Sequence, residues 1–369
     1  MSLSYPEFRT ARCTRFRFRY SECQRCADAC PHEAIALSDS GAKIDEARCQ
    51  NCALCITACH TGAWASEAFM PIDLLRQAIK QKEFSIACAP SGLAADAIVP
   101  CLGAVDAAMI AYLGKRKIPL TLLGSGHCGD CSHGAKGAAQ LDANLDAAAQ
   151  LRTAGESDEP ELKWTDVATP SGLIAEAPRA TPLRAARRQL FRRLVGRGVD
   201  ALADGTRPLP PKTPVPDKAI RAGAYASTEQ RELLQIVCQR KDGKPTPMQW
   251  HDALPLMQLT LQPGCTACEA CFRACPTGAI QIVENPGDWA LTFQADRCVA
   301  CTVCLEVCQP RVLDAEAEFD CRPEQPARVL HSLVKQRCNR CDRFFVSPTP
   351  EQTCMVCSDD EDAFASIFG

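Results

Sequence analysis

All but Cys238 and Cys321 of this chain's 26 cysteines fall at spacings that suit metal ligands. The clearest groups stand in tandem: Cys265-x2-Cys268-x2-Cys271-x3-Cys275-Pro276, then Cys298-x2-Cys301-x2-Cys304-x3-Cys308. The two short gaps let one turn of backbone wrap a cluster face. The longer gap starts a helix that carries the fourth thiolate away, and Pro276 breaks the chain there. Thiolates in such runs hold iron–sulfur cubanes. A zinc site needs only two Cys-x2-Cys pairs, not two four-cysteine runs.

Cysteine-rich chains of 369 residues are too long for small disulfide scaffolds, so a reduced, cytoplasmic setting is expected. The start lacks a basic segment leading into an apolar core, so no signal peptide is expected. The most apolar stretch, 94–114, contains Asp96, Pro100 and Asp106 and reads as a buried α/β segment, not a membrane span. A net charge of −3 argues against general nucleic-acid binding. Length suggests several domains, with metal sites replacing much of the core in the small ones.

Residues 13–62 repeat the pattern with one change. Cys49-x2-Cys52-x2-Cys55-x3-Cys59 is complete, with His60 in the usual proline position. Its partner run reads Tyr20-x2-Cys23-x2-Cys26-x3-Cys30-Pro31, with tyrosine in place of the first cysteine. Cys13 is the substitute ligand the sequence offers. Arg15 to Arg19 alternates like a strand, however, and a straight strand from 13 to 20 would hold its ends about 23 Å apart. Either this segment folds back or the site has three cysteines. His60 reads as a loop residue.

Both modules resemble the eight-iron, two-cluster bacterial ferredoxins, over 13–62 and 256–315. In the second copy the likeness extends to a strand at Met257–Leu261 and a hairpin from Ala279 to Phe293 around Asn285-Pro286-Gly287-Asp288. The resemblance implies crossed ligation. Cys265, Cys268, Cys271 and Cys308 would hold one cluster, and Cys298, Cys301, Cys304 and Cys275 the other. The first module would use Cys23, Cys26, Cys59 and Cys13, then Cys49, Cys52, Cys55 and Cys30.

Between the modules, Pro71–Gln81 reads as a helix, Phe84–Cys88 as a buried strand, 100–113 as a helical stretch and Ile118–Leu123 as a second strand. Two strands joined by a helix imply a right-handed parallel βαβ unit. Its carboxyl-end loops would carry Cys88, Cys101, Cys128 and Cys131 to one edge, where open α/β sheets bind ligands. Segment 84–135 resembles the small iron–sulfur (delta) subunit of methyl-viologen-reducing-type hydrogenases and heterodisulfide reductases, which implies a [2Fe–2S] centre. A [4Fe–4S] cluster or zinc also suits four thiolates. Gly124-x-Gly126-x-x-Gly129 matches a dinucleotide fingerprint in form, but cysteines interrupt it, and small residues turning around a metal site explain it better. His127 and His133 read as polar loop residues.

From Ala154 to Ala226 proline and charge dominate, with an arginine-rich helix at Leu183–Arg197. A Ser227-x-x-Gln230 capping box starts another helix, which holds Cys238 as a buried thiol. In the tail, Cys338-x2-Cys341 and Cys354-x2-Cys357 resemble a zinc ribbon, with rubredoxin-type iron as the alternative.

The expected architecture is a multidomain α+β and α/β chain. Residues 1–70 form one two-cluster ferredoxin-like module and 71–153 a βαβ four-cysteine domain. Residues 154–226 form a linker, 227–320 a helix plus the second module, and 321–369 the ribbon. Four [4Fe–4S] clusters, a fifth centre of [2Fe–2S] type and one Zn2+ are expected. With no nucleotide motif and no nucleophile–base pair, the chain reads as an electron-transfer subunit that meets redox partner proteins and is not catalytic alone. A catalytic iron–sulfur subunit, or a metal-dependent sensor or maturation factor, remains the rival.

Overall fold

The computed structural model describes residues 5–67, 69–155, 164–169 and 227–359. The helix expected at 183–197 lies outside them.

Module one comprises β1 (Glu7–Phe8), α1 (Thr14–Arg17), α2 (Arg25–Asp28), β2 (Ile35–Ser38), β3 (Gly41–Ile44), α3 (Leu54–Ala58) and β4 (Trp64–Ala65). Strands β2 and β3 form an antiparallel hairpin, while β1 pairs antiparallel with β4 and brings the module's ends together. Phe8 packs on Trp64 across that pair, with ring centroids 4.8 Å apart. The alternating Arg–Phe segment is helical, not a strand. A 3-10 turn at Thr10–Arg12 leads into α1, which buries Thr14 and Arg17. The Arg15 guanidinium donates to the Cys23 carbonyl at 2.7 Å, a contact that an extended chain could not make.

The central domain begins with α4 (Pro71–Ala78) and continues through β5 (Phe84–Cys88), β6 (Ala97–Val99), α5 (Ala107–Lys115), β7 (Leu120–Leu123), α6 (Gly134–Gly155) and β8 (Val167–Ala168). The strands form a four-stranded sheet in the order β6-β5-β7-β8, every pair parallel. Helix α5 is apolar on nearly every side because it is covered on nearly every side. Its N-cap, Asp106, accepts from the Met109 amide at 2.9 Å. Helix α6 buries Gly137, Leu141, Asn144, Ala148 and Leu151, a stripe at alternating four- and three-residue steps. Trp164 is buried in the same core, so part of the expected linker is packed.

Helix α7 (Glu229–Cys238) starts one residue later than the capping box implies. Thr228, not Ser227, accepts from the Arg231 amide. Arg231 therefore holds the third helical position, where its side chain is buried. Leu234 and Val237 of α7, Met248 of β9 (Pro247–Gln249) and Leu254 join Phe84, Ile86 and Leu120 in one core.

Module two contains β10 (Leu259–Leu261), α8 (Ala270–Ala274), β11 (Ile280–Asn285), β12 (Asp288–Phe293), α9 (Val303–Val307) and β13 (Leu313–Ala315). Strand β10 pairs antiparallel with β13. The β11–β12 hairpin turns at Pro286-Gly287, where Gly287 has φ +87°, the proline–glycine pairing of a type II turn. Strand β14 (Glu318–Asp320) returns to pair with β9. Strand β15 (Arg328–Arg337) then pairs with β12, and β16 (Phe344–Ser347) with β15, so the tail extends the module's own hairpin into a four-stranded sheet. Among the described residues no helix is long and apolar enough to cross a membrane.

Candidate metal centres

Three of the four cysteine runs share a backbone device. In each Cys-x2-Cys-x2-Cys loop the residues on either side of the middle cysteine are left-handed. These are Asn51 and Ala53, Ala267 and Glu269, and Ala300 and Thr302, with φ between +48° and +66°. Two such residues in so short a span curl the backbone around a point, so that three thiols converge while several amides face them. The run that has Tyr20 for its first cysteine lacks this pattern. Tyr20 is 69% exposed and turned to solvent.

Cys13, not Tyr20, lines a cavity with Cys23 and Cys26 of that run. Cys13, Cys23, Cys26 and Cys59 line one cavity, site I, together with Trp64, Arg25 and His60. Cys30, Cys49, Cys52 and Cys55 line a second, site II, with His32 and Asn51. In the central domain Cys88, Cys101, Cys128 and Cys131 line site III, with His127 and His133. In module two Cys275, Cys298, Cys301 and Cys304 lie close enough for their charges to act on one another and form site IV. Cys265, Cys268, Cys271 and Cys308 line site V. In the tail the sulfur atoms of Cys338, Cys341, Cys354 and Cys357 all lie within 4.8 Å of one another, forming site VI.

Burial sets the chemistry of these thiols. It pushes the pKa of Cys26, Cys101, Cys271 and Cys298 up to about 12 and that of Cys52 to about 11. It raises Cys55, Cys301 and Cys304 well above the ordinary thiol value, with neighbouring cysteines adding to the effect. At the thiols that burial raises, a metal must displace protons to bind. At site VI the Cys354 amide donates to Cys338 at 3.3 Å and lowers its pKa to about 6.

The surroundings fit inorganic sulfide and thiolate. Backbone amides of Ala34, Ala63, His133 and Ala300 donate to the sulfurs of Cys30, Cys59, Cys131 and Cys298 at 3.3–3.4 Å. At site I the Trp64 indole hydrogen-bonds Cys26, while His32 Nε2 at site II and His133 Nδ1 at site III are buried without a hydrogen-bond partner. Space is also reserved for the thiols. A Cβ on Gly137 would lie 2.8 Å from Cys101 Sγ, and one on Gly124 (φ +103°) would lie 3.0 Å from Cys88 Sγ. The glycine spacing that mimics a dinucleotide fingerprint thus lies around a sulfur site. Asp146 sits on α6, beside His251 at 3.2 Å.

Residues 21–63 and 264–312 each match the family described as the 4Fe-4S dicluster domain. The chain carries two such domains. They support 4Fe–4S binding and an electron-transfer role. No curated protein matches the chain.

Three features of the surroundings were not legible in the sequence. His60, read as a loop residue, is buried, with Nδ1 3.4 Å from the Ala300 carbonyl of module two. His133, read as an ordinary polar residue, is also buried, and its ring meets His32 edge-on at 5.3 Å. Arg231 donates to the Cys298 and Ala295 carbonyls, both at 2.8 Å, and places a buried guanidinium beside site IV. Contacts between residues so far apart in sequence leave no local pattern to read. Cys238 and Cys321, the two cysteines outside all sites, are buried as neighbours, and Cys238 raises the Cys321 pKa.

Proposed function

We propose that the chain is a polyferredoxin-type carrier or adaptor, relaying electrons between a low-potential donor and a partner oxidoreductase. Sites I, II, IV and V would each hold a [4Fe–4S] cluster through the four cysteines named above. Site III would hold a two-iron cluster and site VI a zinc ion. Such clusters supply one-electron transfer at potentials anywhere from about −700 to +450 mV. The convergence of Cys13 with Cys23, Cys26 and Cys59 carries the reading, because it completes four cysteines at the one ferredoxin-like site whose run is broken.

The chain's own groups favour the reduced state. Amide-to-sulfur hydrogen bonds and the buried Arg231 stabilise added negative charge. Hydrophobic cover excludes water: Leu54 and Trp64 are buried in module one, and Phe293 and Leu259 in module two.

Anaerobic purification with metal analysis tests the assignment. It expects about 18 iron atoms and one zinc per chain. Two or fewer irons after anaerobic reconstitution would refute it. A Cys13→Ser variant should lower the iron content or change the signal of site I alone. An unchanged site I would remove Cys13 from the ligand set.

A further inference from the structure

Besides grouping the thiols, the structure places the groups against one another. We infer that five sites form a single series, III–II–I–IV–V, that crosses two domain junctions and ends at sites III and V. This rests on the electron-transfer reading above and adds to it the route.

The first junction joins the central domain to module one. Cys101 of site III packs with Cys52 of site II and with Leu54 in one buried cluster. His133, which lines site III, and His32, which lines site II, meet edge to face with their rings 77° apart. Ser132 donates to Gln50 at 3.1 Å, and Gln140 to the Leu54 carbonyl at 3.2 Å, on the flanks of the same contact. Gly103 is pressed into it so closely that an added Cβ would lie 2.9 Å from the Leu54 side chain.

The second junction joins module one to module two. Cys301, a member of site IV, lines the cavity of site I. His60 bridges towards the Ala300 carbonyl, and the Glu22 amide donates to Glu306 at 3.3 Å. Arg25 closes the junction with hydrogen bonds to the Asp252 carbonyl (3.0 Å) and carboxylate (3.1 Å).

Within each module the two sites also adjoin. Cys55 of site II lies within electrostatic reach of Cys26 of site I, and Cys304 of site IV within reach of Cys271 of site V. These approaches between thiols of different sites all join consecutive members of the series. Electron hopping weakens steeply with distance, so thiols packed side by side give a route that sequence order alone does not. Module two follows the central domain in sequence, yet its sites connect to site III through module one. The two ends are also accessible: Cys268 at site V is exposed, and Cys128 and Cys131 at site III are half-buried.

The test isolates the second junction in the full-length protein. Cys49→Ser with Cys52→Ser removes site II, and Cys265→Ser with Cys268→Ser removes site V. Sites I and IV then remain as the only cubane pair. On full reduction, the series requires split, fast-relaxing EPR signals from these two clusters. Two simple, non-interacting signals at full iron content would overturn it while leaving the electron-transfer reading intact. If this variant takes up no iron, an Arg25→Lys variant decides. A carbodiimide should then join residue 25 to Asp252 as an amide, seen as linked peptides by mass spectrometry. Absence of that link, with other lysine–carboxylate pairs joined, overturns the second junction. Failure of the electron-transfer reading itself shows separately, as a wild-type chain that binds little iron.

Discussion

Gly137→Ala is the sharpest probe of site III. Within an exposed helix, alanine in place of glycine stabilises by about 1 kcal/mol. Gly137 lies in the first turn of α6 and faces Cys101, whose sulfur would sit 2.8 Å from the new Cβ. Ordinary carbon contacts lie near 3.5–4.0 Å, so one of the two groups must shift by almost 1 Å. Overpacking of this kind costs about 1–3 kcal/mol. Set against the helix gain, the net loss reaches about 2 kcal/mol. If the thiol yields, that strain falls on metal binding and weakens it about 30-fold. Metal content and the site III spectrum of the anaerobically purified variant report it. The expected result is loss of site III metal with the other sites intact. Gly129→Ala in the neighbouring turn is the control, since a Cβ there meets nothing within 4 Å. A site III spectrum unchanged in Gly137→Ala, or lost equally in Gly129→Ala, would refute the argument.

Three further outcomes follow from buried groups. Burial raises the Asp106 carboxyl from 3.8 to about 6, so its folded form binds a proton more tightly than the unfolded chain does. Stability therefore falls as pH rises from 4 to 6 and stays lowered above that, by about 3 kcal/mol. Asp106→Asn keeps an acceptor for the Met109 amide and should raise the melting temperature at pH 8, with the advantage shrinking towards pH 4. Arg231→Met strands the buried Cys298 carbonyl, at about 1–3 kcal/mol, and removes a second bond to the part-buried Ala295 carbonyl. It should lower both the melting temperature and site IV occupancy, and an unchanged melt would count against the buried contact. Chelating the iron should strip amide hydrogen-exchange protection from module one while β5 and β7 stay protected, as mass spectrometry of peptides from each would show.

Local chemistry made part of this fold legible. The Phe84–Cys88 strand is alternately and then continuously apolar, and it stands as β5 with the same bounds. Asn285-Pro286-Gly287-Asp288 carries its turn type in two residues, and the hairpin forms around them. Strand β6 was missed because Ala97–Val99 offers only three residues between Asp96 and Pro100, too few to show a period. The Arg15–Arg19 alternation misled for the opposite reason. Its period of two is present, but no strand lies alongside, and the Arg15–Cys23 bond together with burial of Thr14 favours a helix. The cysteine spacings expected four convergent thiols at three ferredoxin-like sites, and at the fourth either three cysteines or a fourth supplied by Cys13. They could not show that Cys13 reaches site I, because that depends on how β1 is anchored to β4.

The division of labour between metal and core explains why the chain is built as it is. Module one's own cluster of buried apolar side chains is small: Ile35, Ala42, Cys55 and Trp64, with partly buried neighbours that include three more cysteines. So few groups cannot offset the ordering entropy of some sixty residues, at roughly 1 kcal/mol or more each. The central domain differs, since its sheet, α5, α6 and α7 share one continuous core. Ala53, Phe69 and Leu74 carry that core across the boundary into the end of module one. The module is thus held from two directions, by its metal sites within and by the central domain without. Cys55, Cys301 and Cys304, all raised well above the ordinary thiol value by burial, lie where sites adjoin, so the docking that brings sites together also excludes water from their ligands. Dry, neutral thiols hold their protons until a cation replaces them, which ties metal loading, domain docking and proximity between sites to one event.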